Sequence, residues 1–230
     1  MMQILAFVPA RGGSKSIKNK NLTKLCGKPL IKYTFETLKK LKSNIKPFIS
    51  SDDKNVLSYA KKNNFNTSYI RPKKLSTSNS NVVDAIFHAV DWLKYKYDYV
   101  PNAILLLEPT NPIRNITEIK RAISLFKKKN INSLASVCEL KHHPFESIEI
   151  KKKNWSFLRR PKKKIYQRQQ FSNNFYFIDG NFYLTKLSFL KKHKTFIKEN
   201  KTKMFKIERS YPLDINTKDD LKFAEILIKN

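Results

Sequence analysis

Short, wholly apolar runs alternate along the first 140 residues with longer stretches in which apolar side chains recur every three or four positions. Residues 4–8 read as a buried strand, and 30–42 as a helix whose Ile31, Phe35, Leu38 and Leu41 fall on one side. Residues 47–50 give a second strand ending in "SSDD", 56–62 a second helix and 67–70 a third strand closed by Arg71-Pro72. A clear helix follows at 82–93, with Val82, Val83, Phe87, Val90 and Leu93 inward and Asp84, His88 and Asp91 outward. The continuous apolar run 103–107 has the character of a central parallel strand, 116–126 is again helical, and 132–137 is strand-like. This order predicts an α/β fold, Rossmann-like, with a mostly parallel sheet flanked by helices. Such sheets bind ligands beyond the carboxyl ends of their strands. The segments to read for chemistry are therefore "PARGGSK", "SSDD", "RPKK", "LEPTNPIR" and "CELKHHP".

The pattern changes near residue 141. Residues 141–178 lack helical periodicity and mix aromatic rings with charge, which predicts an excursion from the sheet, built of hairpins. Trp155, Phe157, Phe171, Phe175, Tyr176 and Phe177 are too many rings for so short a segment to bury alone, and a second subunit is the natural cover. The chain then returns as a strand at 181–185, a short helix at 187–193 and an edge strand at 204–207. A last helix begins at Thr217, with Asp220 three residues on as its capping partner. No repeat or low-complexity linker divides the 230 residues, so one domain is expected, with 141–178 as an inserted dimerisation segment.

Composition narrows the class of protein. A formal net charge of +29 invites a nucleic-acid reading, but only eight of the 47 basic residues are arginine. Base reading favours arginine forks, and a lysine, asparagine and isoleucine bias is what an AT-rich genome leaves at tolerant surface positions. A basic nucleic-acid-binding protein is therefore the rival from another class, and no nucleic-acid partner is expected. No run approaches the ~18 apolar residues of a membrane span, and the first apolar run lacks a basic leader, so a cytoplasmic protein with no membrane partner is expected. Cys26 and Cys138 have neither the number nor the spacing of a disulfide framework or a metal knuckle, and both read as buried packing residues. His88 reads as structural, and "RRPKKK" at 159–164 as a solvated rim.

The loop "ARGGSKSIKNKN" matches neither G-x-x-x-x-G-K-[ST] nor G-x-G-x-x-G. Its physics is nonetheless that of a phosphate cradle. Gly12 and Gly13 permit positive φ, so that successive N–H groups can converge on an anion, with Arg11 as a fork and Lys15 and Lys20 as point charges.

At this point the chain resembles a family. "FVPARGGSKSIKNKNL" resembles the A-R-x-x-S-K-G-[IL]-x-x-K-N signature of the cytidylyltransferases that make CMP-sialic acid and related CMP-nonulosonates. "SSDD" resembles the family's S-T-D, "IRPKKLSTSNS" its R-P-x-x-L-[AS], and "LLLEPTNPIR" its L-L-Q-P-T-S-P-L-R. "KHHPFE", "YQRQQF", "IDGNFYLTK" and "PLDINTKDDLKFAE" follow in the family's order, so the resemblance spans nearly the whole chain. It implies a nucleotide-diphospho-sugar transferase fold and a reaction of CTP with a nonulosonic keto-sugar acid that releases pyrophosphate. A CMP-KDO-type or other sugar nucleotidyltransferase is the rival enzyme, and a CTP-binding paralogue without activity is a third reading.

The resemblance implies Arg11, Gly12, Gly13, Ser14, Lys15 and Lys20 around the triphosphate, Asn21 and Arg71 by the cytosine, and Ser80 beside the nucleotide. Arg11, Lys20 and Asp214 would carry catalysis, with Asp214 and Asn216 on Mg2+. Glu108, Arg168, Gln169, Asp179 and Tyr183 would meet the sugar acid, Arg168 pairing with its carboxylate. A homodimer through 141–178, placing residues of one subunit over the other's site, is also implied. Several positions depart from the family pattern. Ser16 stands for a glycine, Glu108 for glutamine, Glu146 for a lysine, Asp179 for asparagine and Asn216 for aspartate. Carboxylates in place of amides change which hydroxyl or N-acyl groups can be held, so the nonulosonate class is implied more firmly than N-acetylneuraminate itself.

Overall fold

The computed structural model describes residues 2–14, 16–41, 45–140, 142–152, 154–160, 175–208 and 213–229. The strands are β1 (Ile4–Pro9), β2 (Lys24–Leu25), β3 (Lys28–Pro29), β4 (Ile45–Ser50), β5 (Ala103–Leu106), β6 (Ser133–Glu139), β7 (Ile148–Lys151), β8 (Asn154–Phe157), β9 (Tyr176–Phe177), β10 (Tyr183–Lys186) and β11 (Lys203–Lys206). The helices are α1 (Leu30–Lys39), α2 (Lys54–Lys62), α3 (Val82–Tyr97), α4 (Ile116–Lys128), α5 (Leu187–His193) and α6 (Lys218–Lys229). Among these residues no helix is long and apolar enough to cross a membrane.

One sheet runs in the order β11-β6-β10-β5-β1-β4, with β9 laid on the upper end of β6. β1 is parallel to β4 and β5, and β11 is parallel to β6. β10 is antiparallel to both β5 and β6, and the short β9 is antiparallel to β6, so β10 reverses direction in the middle of a mostly parallel array. Period-two alternation sends Ile4, Ala6, Val8 and Leu105 toward α1, α2 and α4. It sends Leu5, Phe7, Ile104 and Leu106 toward α3 and α5. Burial of each of these larger side chains contributes about 1.5–3 kcal/mol.

The side chains of Asp53, Asn81 and Asn115 accept from the N–H groups two residues on, capping α2, α3 and α4. Thr217 and Asp220 cap α6 reciprocally: the Asp220 carboxylate accepts from the Thr217 N–H and the Thr217 hydroxyl accepts from the Asp220 N–H.

Two sequence expectations are corrected. Residues 67–70 form no strand. Only Tyr69 turns inward there, Ile70 is 63% exposed, and the Arg71 N–H reaches the Ser51 carbonyl just beyond the end of β4. The segment is extended but lies past the edge of the ladder. Cys138 is buried as expected, whereas Cys26 is half-buried, at a φ of 46° in the turn between β2 and β3. The 141–178 excursion does contain a hairpin, β7–β8, and His88 is structural, with Nδ1 3.0 Å from the Tyr69 hydroxyl.

A third apolar cluster fixes the far wall of the cleft. Leu213 and Ile215 pack with Ile17, Leu25, Leu30 and Ala224. The alternation Leu213-Asp214-Ile215-Asn216 therefore turns Asp214 and Asn216 outward, and the Ile215 N–H ties this strip to the Thr110 carbonyl.

Candidate active site

The opening loop leaves β1 at the carboxyl end of the sheet and is held from beside. The Ala10 carbonyl accepts from the Ser51 hydroxyl at 2.6 Å, the Gly12 N–H donates to Asp52 Oδ1 at 2.9 Å, and Asn21 Nδ2 donates to the Arg11 carbonyl at 2.9 Å. Gly12 is needed for close approach, since a Cβ there would sit 3.3 Å from Asp53 Cβ. Gly13 is needed for its φ of +64°. The Gly12 N–H is thus engaged by Asp52. Asn21 likewise acts as a brace closing the loop.

Arg11, Ser14, Lys20, Asn21, Arg71, Ser80 and Glu108 line a single cleft of about 220 Å3. Pro9, Leu75, Val82 and Pro109 supply apolar walls. Arg71 is 4% exposed; its Nε donates to Ser50 Oγ and its Nη2 to the Ser50 carbonyl. Burial holds its pKa down at about 10, well below the usual arginine value. The Ser80 hydroxyl lies 2.8 Å from Thr77 Oγ1 and donates to the Lys74 carbonyl, so its contribution is to shape the loop at the cleft rim.

Lys20 is the hub of the opposite wall. Its ammonium donates to the Ile215 carbonyl at 3.0 Å and to Asn216 Oδ1 at 3.1 Å. Half-burial lowers its pKa, opposed by the carboxylate of Asp214 and assisted by the charge of Arg11. Glu108 faces the same space; burial first, and then the Asp214 charge, raise its carboxyl above the usual range, while Arg114 and Lys20 pull it back. Burial, followed by the charge of Glu108, pushes the Tyr183 hydroxyl up to about 12, so it stays protonated at neutral pH. The site thus pairs Arg11 and Lys20 with a small acidic group, an arrangement suited to holding a polyphosphate and a divalent cation together.

Asp214 is exposed, and among the described residues no group of three or more His, Cys, Asp or Glu side chains forms a metal site. The donors present fit a cation only when it is shared with phosphate oxygens, as magnesium commonly is. Asp179 does not line the cleft: it is 2% exposed, and its Oδ1 accepts from the Ser136 hydroxyl at 2.6 Å and from the Asn181 N–H. Lys15, Arg168 and Gln169 lie outside the described residues.

The sequence reading missed the staple beneath the site. Arg114 Nε donates to the Asn181 carbonyl at 2.9 Å, Nη1 to Thr34 Oγ1 at 3.1 Å, and Nη2 to the Glu108 carbonyl. Asn111 and Asn181 add bonds to the Asp179 and Ile113 carbonyls. The signal was available in the arginine and asparagine of "EPTNPIR", placed just after a buried strand. A larger hollow of about 550 Å3 sits at the other end of the sheet, near Met2, Asn102, Lys186 and Lys191, away from this chemistry.

Comparison with known proteins agrees with the geometry. A cytidylyltransferase family model matches residues 5–227. A pseudaminic acid cytidylyltransferase of Campylobacter jejuni serotype O:23/36 is 30% identical over 233 residues, covering 99% of this chain and 97% of that one. The CMP-N,N'-diacetyllegionaminic acid synthase of Legionella pneumophila is 33% identical over 129 residues, 55% of this chain and 54% of that one. In fold, a CMP:2-keto-3-deoxy-manno-octonic acid synthetase solved with CTP superposes at a TM-score of 0.70 with 12% identity, over 99% of this chain and 98% of the other. With the family match running across nearly all of its length, this chain belongs to the cytidylyltransferase family.

Proposed function

We propose that the protein couples CTP to a nonulosonic, sialic-acid-like keto-sugar acid, giving the CMP-sugar and pyrophosphate. The observation that carries this reading is the convergence of Arg11, Lys20, Asn21, Arg71 and Glu108 on one cleft at the carboxyl ends of β1, β4 and β5. In the reaction the sugar's anomeric hydroxyl attacks the α-phosphorus. The new P–O bond forms as the bond from the α-phosphorus to the bridging oxygen breaks, pyrophosphate leaves with that electron pair, and the hydroxyl proton passes to solvent. Arg11 and Lys20 hold the negative charge that builds on the phosphate oxygens, in fixed positions that need no rearrangement. Leu75 and Val82 offer apolar walls for the base, and the Arg71 guanidinium is held rigid beside them. A bound Mg2+ would be held by Asp214 and the phosphates, and would neutralise developing charge. Tyr183 and Glu108 face the sugar side, where Glu108 accepts hydrogen bonds from the sugar's hydroxyl or amide N–H groups.

The working unit is a homodimer. Ile148 and Ile150 pair with Phe157 and Trp155 on one face of the β7–β8 hairpin, and all four side chains are exposed. A second copy covers this face, and the CTP-dependent chemistry takes place in the cytoplasm. The test is pyrophosphate release from CTP and Mg2+ with a panel of pseudaminic, legionaminic and N-acetylneuraminic acids and KDO. Release with a nonulosonate supports the reading and ranks the sugars; release with KDO alone, or with none, refutes it.

A further inference from the structure

The Asn216 side chain is engaged at both ends. Its Oδ1 accepts from Lys20 Nζ at 3.1 Å, and its Nδ2 donates to Asp214 Oδ2 at 2.7 Å. The residue is also fixed from behind, because its backbone N–H donates to Asp220 Oδ2 at 2.9 Å. The Lys20 ammonium is anchored in turn on the Ile215 carbonyl at 3.0 Å. Ammonium, amide and carboxylate form one chain of hydrogen bonds across the wall of the cleft.

We propose that Asn216 is a positioning residue that sets the spacing of the Lys20 ammonium and the Asp214 carboxylate, and that it is not itself a ligand of the divalent cation. The inference rests on the nucleotide reading above. Its first ground is the direction of the amide, which its partners decide. Turned over, it would face its NH2 to an ammonium and its oxygen to a carboxylate, losing both bonds. Its second ground is charge. To ligate a divalent cation, a neutral oxygen already 3.1 Å from an ammonium would have to hold two cations with no negative charge of its own. Asp214 is left with Oδ1 as its open oxygen. One carboxylate oxygen is a poor site for a hard cation that prefers six oxygens, so the nucleotide's phosphates and water must supply the remaining ones. Cation and nucleotide then bind as a unit, on a wall whose ammonium and carboxylate are already in place.

The experiment uses Mn2+ as the probe and follows its binding by electron paramagnetic resonance, with and without CTP. The full chain is compared with its Asn216→Ala, Asn216→Asp and Asp214→Asn variants, and kcat and KM are measured on the same preparations. Without CTP the parent chain should bind Mn2+ weakly, and Asn216→Asp, which sets a second carboxylate beside the first, should tighten that binding at least tenfold. Asn216→Ala should leave Mn2+ affinity in the CTP complex within about threefold while kcat falls tenfold or more. A tenfold loss of Mn2+ affinity in Asn216→Ala would make Asn216 a ligand and overturn the proposal, as would unchanged turnover in that variant. If neither CTP nor Asp214→Asn changes the Mn2+ signal, the nucleotide reading itself fails and this inference falls with it. Loss confined to Asn216→Ala strikes the inference alone.

Discussion

Arg114→Ala removes a side chain that ties the Glu108–Arg114 turn to both α1 and the approach to β10. Its guanidinium serves the Asn181 carbonyl, the Thr34 hydroxyl and the Glu108 carbonyl, and Asn181 and Thr34 are 3% and 0% exposed. A buried polar group left without its partner costs about 1–3 kcal/mol, which for three groups gives an upper bound near ~9 kcal/mol. Two effects reduce it. The Thr34 hydroxyl can rotate toward another acceptor, and water can enter the half-buried space left by the guanidinium and rescue one carbonyl. The expected loss is then about 3–5 kcal/mol, in line with removing one partner of a buried charged network. At about 2–4 °C per kcal/mol for a chain of this size, the melting temperature should fall by roughly 6–20 °C. Arg114→Lys keeps the charge but cannot present a planar fork to acceptors on three elements, and should recover about one hydrogen bond, ~1–1.5 kcal/mol. Urea denaturation followed by tryptophan fluorescence, together with thermal unfolding, measures both variants. If Arg114→Ala lies within about 1 kcal/mol of the parent, or Arg114→Lys equals it, the staple is not what holds this turn.

Arg11→Ala should lower turnover by about 10²-fold or more, the scale of losing a fixed charge-stabilising donor, with the circular dichroism spectrum unchanged; activity within a few-fold of the parent would place the triphosphate elsewhere. Glu108→Gln should change stability in a pH-dependent way. The folded carboxyl has a raised pKa, so its stabilising contribution is complete below the unfolded value, near ~4.3, and is lost as pH rises through the folded value. The glutamine variant should therefore gain melting temperature over the parent at pH 8 and match it near pH 4, and an equal difference at both pH values would contradict the burial argument. Replacing Ile150 and Trp155, 69% and 59% exposed, with lysine should halve the mass measured by light scattering at micromolar concentration; an unchanged dimer would move the subunit contact off this hairpin.

The strand and helix alternation was legible because each amphipathic helix in the first 140 residues carries its own periodicity. The cleft residues were legible for a related reason: in a parallel sheet, the polar residues just after each strand must gather at one end. Direction within the sheet was not legible. β10 is buried on both faces, and a strand buried on both faces reads the same whether it runs up or down. The false strand at 67–70 had the right residue types but runs beyond the end of β4, where its contact is the bond from the Arg71 N–H to the Ser51 carbonyl. The Gly12–Asp52 and Lys20–Asn216 bonds were hidden because they join residues 40 and 196 positions apart. No local spacing encodes such partners.

The reversed strand β10 has a consequence for how this architecture can diversify. β6 leaves the sheet at Glu139 at the cleft end, and β10 re-enters at Tyr183 at that same end. The chain therefore departs from the sheet and returns to it at the same end. Descendants of such a gene can lengthen, shorten or replace the part of that stretch that precedes β9 without shifting the register of the main strands, while β9 and the buried Asp179 stay tied to β6. If that stretch meets the acceptor as proposed, acceptor preference can drift quickly while the nucleotide half of the molecule stays constant.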